Sequence, residues 1–174
     1  MKYLIFLRGI NVGGLKVSMA ELKLALEQTN LDKVRTYLNS GNATFFSNRN
    51  EKELKAELIK NLKDKLNYSD HLFIYSESQI KSVVNGFPFK SSQLKHSYVI
   101  LCQSDKVASD LARAAKDLTH INEEVIPAKD VVYWSVTKGD TTTSVFSKLL
   151  TKKEFKFCLT NRNLNTLQKM LSSS

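Results

Sequence analysis

Apolar residues recur along this chain with two different spacings, separated by polar and glycine-rich segments. Residues 2–7 form an apolar run that is too short for a helix, which favours a strand buried on both faces. Ser18 and Glu21 then have the spacing of a capping box, and apolar residues follow them at helical spacing. We therefore predict a first strand over 2–7 and a first helix over about 18–29.

The next segments complete a recognisable order of elements. Residues 34–38 and 43–47 are interpreted as strands, and the turn-forming residues 39–42 between them favour a hairpin. A helix with leucines on one face is predicted over about 51–67, and a further strand over 71–75. The sequence thus predicts a β-α-β-β-α-β unit of the ferredoxin-like kind, with strand order 4-1-3-2.

The same order recurs in the second half of the chain. Residues 96–102 predict a strand, Ser104 caps a helix, and a hairpin ends with the strand 130–136. A shorter helix and a strand over 155–160 follow, and in the last helix we expect a cap at Thr160 or Asn161 and a buried Leu164. The predicted fold class is α+β, with tandem ferredoxin-like β-α-β-β-α-β units, antiparallel sheets and a C-terminal helix.

This repetition also predicts the domain organisation. We expect a first ferredoxin-like half with its following helix over residues 1–86, a polar linker over 87–95, and a second half with the C-terminal helix over 96–174.

Charge changes the picture more than composition does. The 174 residues carry a formal net charge of +9, and residues 148–174 hold Glu154 alone against a set of basic residues. That set is Lys148, Lys152, Lys153, Lys156, Arg162 and Lys169. A basic surface attracts phosphates, so the partners we expect are nucleic acid or a phosphorylated small molecule. Surplus lysine that serves only solubility is the alternative.

Other features bear on where the chain works. No apolar run approaches the roughly 20 residues that span a bilayer, so we expect no membrane association and a cytoplasmic protein. Cys102 and Cys158 lie inside apolar runs, and we expect both to be buried free thiols. The histidines have no metal-ligand spacing, and no nucleophile has an evident base, so we predict no metal, no cofactor and no catalytic set.

Three separated segments carry a family resemblance: LRGINVGG (7–14), VRTYLNSGN (34–42) and TNRNLNT (160–166). Together they resemble the bacterial family known as domain of unknown function 1697. The resemblance implies the tandem ferredoxin-like architecture, and it implies no known activity, cofactor or catalytic residue. The family usually has Trp where this chain has Leu164.

The first two motifs also predict a ligand site. In the strand order 4-1-3-2 the first and second strands point the same way, so the loop after each leaves the same sheet edge, roughly 10 Å apart. Arg8 would supply charge there and the glycine-rich turn backbone N–H groups, as in anion-binding loops. The third motif adds polar residues on the last helix. The candidate ligand-binding residues are Arg8, Gly9, Asn11, Gly13, Gly14, Asn39, Ser40, Gly41, Asn42, Arg162 and Asn165.

Several functions stay open at this point. A binding module for a phosphate-bearing ligand is our first hypothesis, and a small-molecule enzyme acting on an anionic substrate or a protein-interaction scaffold are the alternatives. Tyr3, Phe6, Phe45 and Phe46 lie on strands that expose aromatics in RNA-binding sheets. Because the first strand is apolar on both faces, we expect this sheet to be covered by the other half of the protein and not to form an open platform.

Overall fold

We used a computed structural model, which describes residues 1–11, 15–37, 40–69, 71–116 and 122–173. Its elements in the first half are β1 (Lys2–Leu7), α1 (Met19–Glu27), β2 (Asp32–Tyr37), β3 (Asn42–Phe46), α2 (Glu51–Leu66), β4 (Leu72–Ser76) and α3 (Glu77–Asn85). In the second half they are β5 (Lys95–Cys102), α4 (Asp105–Lys116), β6 (Glu123–Ala128), β7 (Val131–Thr137), α5 (Val145–Leu150), α6 (Lys153–Lys156), β8 (Leu159–Asn163) and α7 (Leu164–Ser172).

The strands form two four-stranded sheets with the same internal order. The first runs β2-β3-β1-β4 and the second β6-β7-β5-β8, and every pairing is antiparallel. In each sheet the first strand of the half is central and is flanked by the third and the fourth. The predicted tandem ferredoxin-like fold, with its strand order, is therefore confirmed.

By its contacts the chain divides into two compact units. The first consists of Met1–Ser82 together with Lys169–Ser174, and the second of Val83–Gln168. Our boundaries at 1–86, 87–95 and 96–174 stay a prediction for the domains.

The first unit packs α1 and α2 on one face of its sheet. Ser18 accepts from the N–H of Glu21 while the Glu21 carboxylate accepts from the N–H of Ser18, so the predicted capping box is confirmed. On α2 the leucines spaced four residues apart are buried: Leu54, Leu58 and Leu62. Every residue of β1 is buried, which the apolar run predicts for residues 3–7 and which also includes the charged Lys2.

The second unit has a core around Trp134, which is fully buried and stacks on Tyr98 with ring centroids 4.9 Å apart. The buried Glu123 carboxylate accepts from the indole Nε1 of Trp134 at 2.9 Å and from the backbone N–H of Phe146 at 3.1 Å. These two hydrogen-bond donors take the place of the water that the buried polar group would otherwise bind.

The predicted strand over 155–160 is wrong. Phe155 lies in the short helix α6 and is buried, Phe157 is exposed, and the strand begins at Leu159. The apolar residues of 155–160 alternate as they do in a strand. The segment that pairs with β5, however, is the mostly polar Leu159–Asn163.

Because the strand lies later in the sequence than predicted, the last helix also begins later. Asn163 caps it, since its Oδ1 accepts from the N–H of Asn165 at 2.9 Å, and neither Thr160 nor Asn161 does so because both lie within β8. The helix starts later than expected, so its buried face falls on Leu167 and Met170 and leaves Leu164 only half-buried.

Candidate functional site

The first unit brings two of the three motifs together at one edge of its sheet. Because β1 and β2 both pair antiparallel with β3, the loop after β1 and the hairpin after β2 leave the same edge. The N–H of Leu7 donates to the carbonyl of Gly41 at 2.7 Å, which joins the two segments directly. The predicted convergence of these two segments is thus present in the backbone.

Gly41 is the point of closest approach. Its φ of +69° lies in the left-handed region, and a Cβ added there would lie 2.8 Å from Ile10 Cδ1 and 2.9 Å from Leu7 Cβ. Only glycine fits both the conformation and the space. We describe the segments 8–11 and 40–42, held together by this contact, as the loop edge.

Arg8 is half-buried just after β1, and its backbone is hydrogen-bonded to the segment that precedes β4. Its N–H donates to the hydroxyl of Tyr68 at 2.9 Å and points to the carbonyl of His71 at 3.2 Å. The Tyr68 hydroxyl in turn lies 3.0 Å from the Arg8 carbonyl. Our sequence analysis missed Tyr68, a buried residue two positions beyond α2 that gave no motif signal.

Asn11 is hydrogen-bonded through its side chain within its own loop. Its φ is +58°, and its amide clamps the following loop, with Nδ2 donating to the Val17 carbonyl at 2.8 Å and Oδ1 accepting from the Val17 N–H at 3.0 Å. The backbone N–H of Asn11 donates to Leu15. Gly9 precedes it with φ +75° and is exposed. These bonds hold Asn11 against the described residues 15–17.

The hairpin side of the loop edge is also internally bonded. Asn42 is completely buried, and its Nδ2 donates to Ser40 Oγ at 2.7 Å and to the Tyr37 carbonyl at 3.3 Å. Its Oδ1 is buried and has no hydrogen-bond partner among the described residues. The predicted site residues Gly13, Gly14 and Asn39 lie outside the part of the chain that the structure describes.

An open cavity of about 650 Å³ adjoins the loop edge. The described residues that line it are Asn11, Lys16, Val17, Ser18, Met19 and Glu21, so the described hairpin residues and Arg8 are not part of it. Glu21 already occupies the start of α1, and its hydrogen bonds with Ser18 hold the pKa of its carboxyl below the usual value. The helix N-terminus is therefore satisfied by its own acid.

The third motif lies in the second unit. Arg162 is a half-buried residue of β8 opposite Val99, and its Nη1 donates to the Asn161 carbonyl at 2.7 Å. Asn165 is exposed in the first turn of α7. Our expectation that both lie on the last helix is wrong for Arg162, because the strand runs on to Asn163.

The aromatic residues do not form an exposed platform. Tyr3, Phe6 and Phe45 are buried and Phe46 is half-buried, with Tyr3 and Phe45 stacked at 5.8 Å between ring centroids. The burial of these three rings leaves them unavailable as an exposed stacking surface, and the prediction that the other half covers the sheet stays a prediction.

The cysteines differ from each other. Both are free; Cys102 is buried as expected, but Cys158 is only half-buried. Burial, with lesser contributions from Asp130 and Cys158, raises the pKa of the Cys102 thiol to about 12. Such a thiol is protonated and a poor nucleophile.

The described residues contain neither a membrane-spanning helix nor a metal-binding cluster. No helix within the described ranges has the length and apolar character to cross a bilayer. No group of three or more His, Cys, Asp or Glu side chains in that same part of the chain could hold a metal ion.

Similarity to known proteins bears on the fold and on the family of this chain. A search of curated proteins found no match. Among solved structures, a conserved bacterial protein from Streptococcus pneumoniae is similar, with a TM-score of 0.79 and 24% sequence identity over 98% of this chain and 96% of that one. At that identity the likeness establishes the fold alone.

The family comparison reaches further. The model of a family described as "Protein of unknown function (DUF1697)" matches residues 1–133, which include the first two motifs and end before the third. The match extends over more than half of the sequence. The chain therefore belongs to the DUF1697 family, whose function is unknown.

Proposed function

We propose that this protein is a binding module for a phosphate-bearing ligand, held at the loop edge by Arg8, the turn that follows it and the hairpin 39–42. The observation that carries the proposal is the 2.7 Å hydrogen bond from Leu7 to Gly41, which draws the two motif segments together beside a cation. A guanidinium offers several donors in a planar array that suits phosphate oxygens.

Preorganisation of the loop supports this role. The Asn11 clamp and the Tyr68 hydroxyl fix the backbone on both sides of Gly9 before any ligand arrives. Binding to a pre-shaped loop costs less conformational entropy than binding to one that must be ordered. Glycine at 41 permits a contact between loops that a side chain would prevent.

The distribution of charge limits how a phosphate would be held. Because Glu21 satisfies the start of α1, the helix N-terminus is not the anion's partner in this proposal. The charge comes instead from Arg8, with Lys16 exposed in the adjoining loop. Gly13 and Gly14 enter only as the backbone donors that the sequence predicts.

The test compares two arginines of the same unit. Arg8→Ala removes the proposed cation, whereas Arg35→Ala removes an exposed arginine of β2 and changes the net charge equally. Binding of inorganic phosphate, a nucleoside triphosphate and a single-stranded oligonucleotide should be measured at two salt concentrations. We expect Arg8→Ala to weaken binding by about 10-fold to 150-fold, the equivalent of about 1.5–3 kcal/mol, and Arg35→Ala to change it little.

The three ligands separate the sources of phosphate. An oligonucleotide that binds with a steep dependence on salt indicates nucleic acid, whereas the nucleotide alone indicates a small molecule. The proposal is overturned if Arg8→Ala lowers the melting temperature while no ligand binds the parent protein. It is equally overturned if Arg8→Ala is silent and Arg162→Ala abolishes oligonucleotide binding.

A further inference from the structure

The second unit contains a polar cavity that the loop edge does not involve. It lies where β5 begins and where β7 and β8 end, and its volume is about 310 Å³. Lys95, His96 and Lys138 line it, together with Asn163 from the end of β8 and Asn165 from the start of α7. The remaining described lining residues are serines and a glutamine.

The lining has a consistent chemistry. Its described side chains are ammonium, imidazole, amide and hydroxyl groups, all of which can donate a hydrogen bond, and none is a carboxylate. No aliphatic or aromatic hydrocarbon side chain is among them. Such a surface offers little to an apolar ligand and suits an oxyanion, whose oxygens accept several donors at once.

Charge balance around the cavity points the same way. Lys95 is neutralised in part by Glu124, with Nζ and Oε2 2.6 Å apart. Lys138 is exposed and has no ion-pair partner among the described residues. Asp140, two residues further on, accepts from the Asn122 amide at 3.3 Å. Lys138 is therefore the cation that an incoming anion would meet.

The corresponding corner of the first unit shows the contrast. There Glu77 opens α3 and forms an ion pair with Lys2 of the central strand, at 3.2 Å. In the second unit α7 follows β8 as α3 follows β4, but its first turn carries no acidic residue. In the second unit the helix therefore supplies no acid to this corner, and Lys95 of the central strand pairs instead with Glu124 of β6.

We propose that this cavity is a second anion site, which binds the phosphate group of a small polar metabolite. The volume is at the lower end of the range for small-molecule pockets, so a compact phosphate monoester fits better than a polymer. Lys138 supplies the charge, and His96 and Asn165 supply further hydrogen-bond donors around it. This inference is independent of the loop edge and stands if the loop edge binds nothing.

The experiment is an NMR titration of the full chain with inorganic phosphate, a sugar phosphate and the same sugar without phosphate, at constant pH and ionic strength. We expect saturable shifts of the His96, Ser97 and Asn165 amides with both phosphates and none with the free sugar. A phosphate held by one lysine and neutral donors should bind with Kd on the order of 1 mM.

Two lysine variants supply the decisive comparison. Lys138→Ala should weaken phosphate binding at these amides at least about fivefold, because a charge-assisted contact is lost. Lys129→Ala, an exposed lysine of the same unit in the turn between β6 and β7, should leave it unchanged. Equal weakening by both variants, or no saturable shift at these amides, overturns the inference. Shifts confined to residues 8–11 would support the loop edge and overturn this site.

Discussion

At the scale of single residues, Gly41 and Asn11 show how a motif residue can be required for shape. Gly41 has a positive φ and lies in close contact with Ile10 and Leu7. The side-chain amide of Asn11 is hydrogen-bonded to the backbone of Val17. Both therefore build the loop edge, and neither is thereby shown to touch a ligand. A family motif in a loop records the geometry of the loop as well as any chemistry it performs.

Replacing Gly41 with alanine should strongly destabilise the first unit. The left-handed backbone costs about 1–2 kcal/mol for a residue with a Cβ, and the contacts at 2.8 and 2.9 Å add an overpacking cost of about 1–3 kcal/mol. We expect a loss of about 2–5 kcal/mol by urea denaturation.

Gly139→Ala is the matched control for that prediction. Gly139 has φ +95° but no atom within 4 Å of an added Cβ, so it carries the backbone strain without the collision. If the two variants lose the same stability, the close approach at Gly41 contributes nothing.

At the scale of elements, most of the fold follows from periodicity. The buried run of β1, the capping box of α1 and the leucine face of α2 each have a local cause, and the sequence predicts them correctly. β8 has a different cause, since its residues are mostly polar and become a strand only by pairing with β5. Long-range pairing leaves no periodic signal in the segment itself, and this is why 155–160 was misassigned.

The same limit applies to the candidate site. The topology of the first sheet predicts that the two motif loops meet, and they do so at Leu7 and Gly41. The sequence could not predict that Tyr68 fixes Arg8 or that Asn42 is buried, because both depend on contacts between segments far apart or on packing around the hairpin. The polar cavity of the second unit likewise assembles from four separate elements and their connections.

The cap of the last helix gives a prediction at this scale. Asn163→Ala removes the Oδ1 that accepts from the N–H of Asn165, so we expect a loss of about 0.5–2 kcal/mol in the stability of the second unit. Asn165→Ala is the control, because only its backbone takes part in the cap. A thermal melt of both variants is the measurement, and a greater loss from Asn165→Ala would contradict the assignment of Asn163 as the cap.

At the scale of the whole molecule, one lysine joins residues far apart in sequence. The Lys2 side chain is 6% exposed, and its Nζ lies 3.2 Å from Glu77 and donates to the carbonyls of Leu171 at 3.2 Å and Ser173 at 2.7 Å. The last carbonyls of a helix have no N–H partner within the helix, so a cation at its C-terminal end can donate hydrogen bonds to them. The first strand and the end of α7, from Lys169 onward, are thereby held in one unit.

Lys2→Met should therefore destabilise the first unit. The change keeps most of the apolar stem of the side chain but removes the ammonium, and we expect a loss of about 1.5–3 kcal/mol, the range for hydrogen bonds to a charged group. Hydrogen exchange should accelerate in β1, β4 and the end of α7. Lys16→Met, at an exposed position, is the control and should have no such effect.

Truncation after Gln168 provides an independent check. It removes Leu171 and Ser173 while leaving Lys2 in place, so Lys2 retains Glu77 but loses its carbonyl partners. The truncated chain should lose at least as much stability as Lys2→Met, since Met170, which is fully buried, goes too. An unchanged melt after truncation would show that the segment adds nothing to the first unit.

The split composition of the first unit has a consequence for biosynthesis. Its final piece, Lys169–Ser174, leaves the ribosome only after the whole of Val83–Gln168 has been translated. At about 5–20 residues per second, the nascent first unit waits for several seconds with the ammonium of Lys2 lacking its carbonyl acceptors. Folding during synthesis should therefore stop at a less protected state until this final piece of the unit has emerged, and the first unit should gain its remaining stability only then.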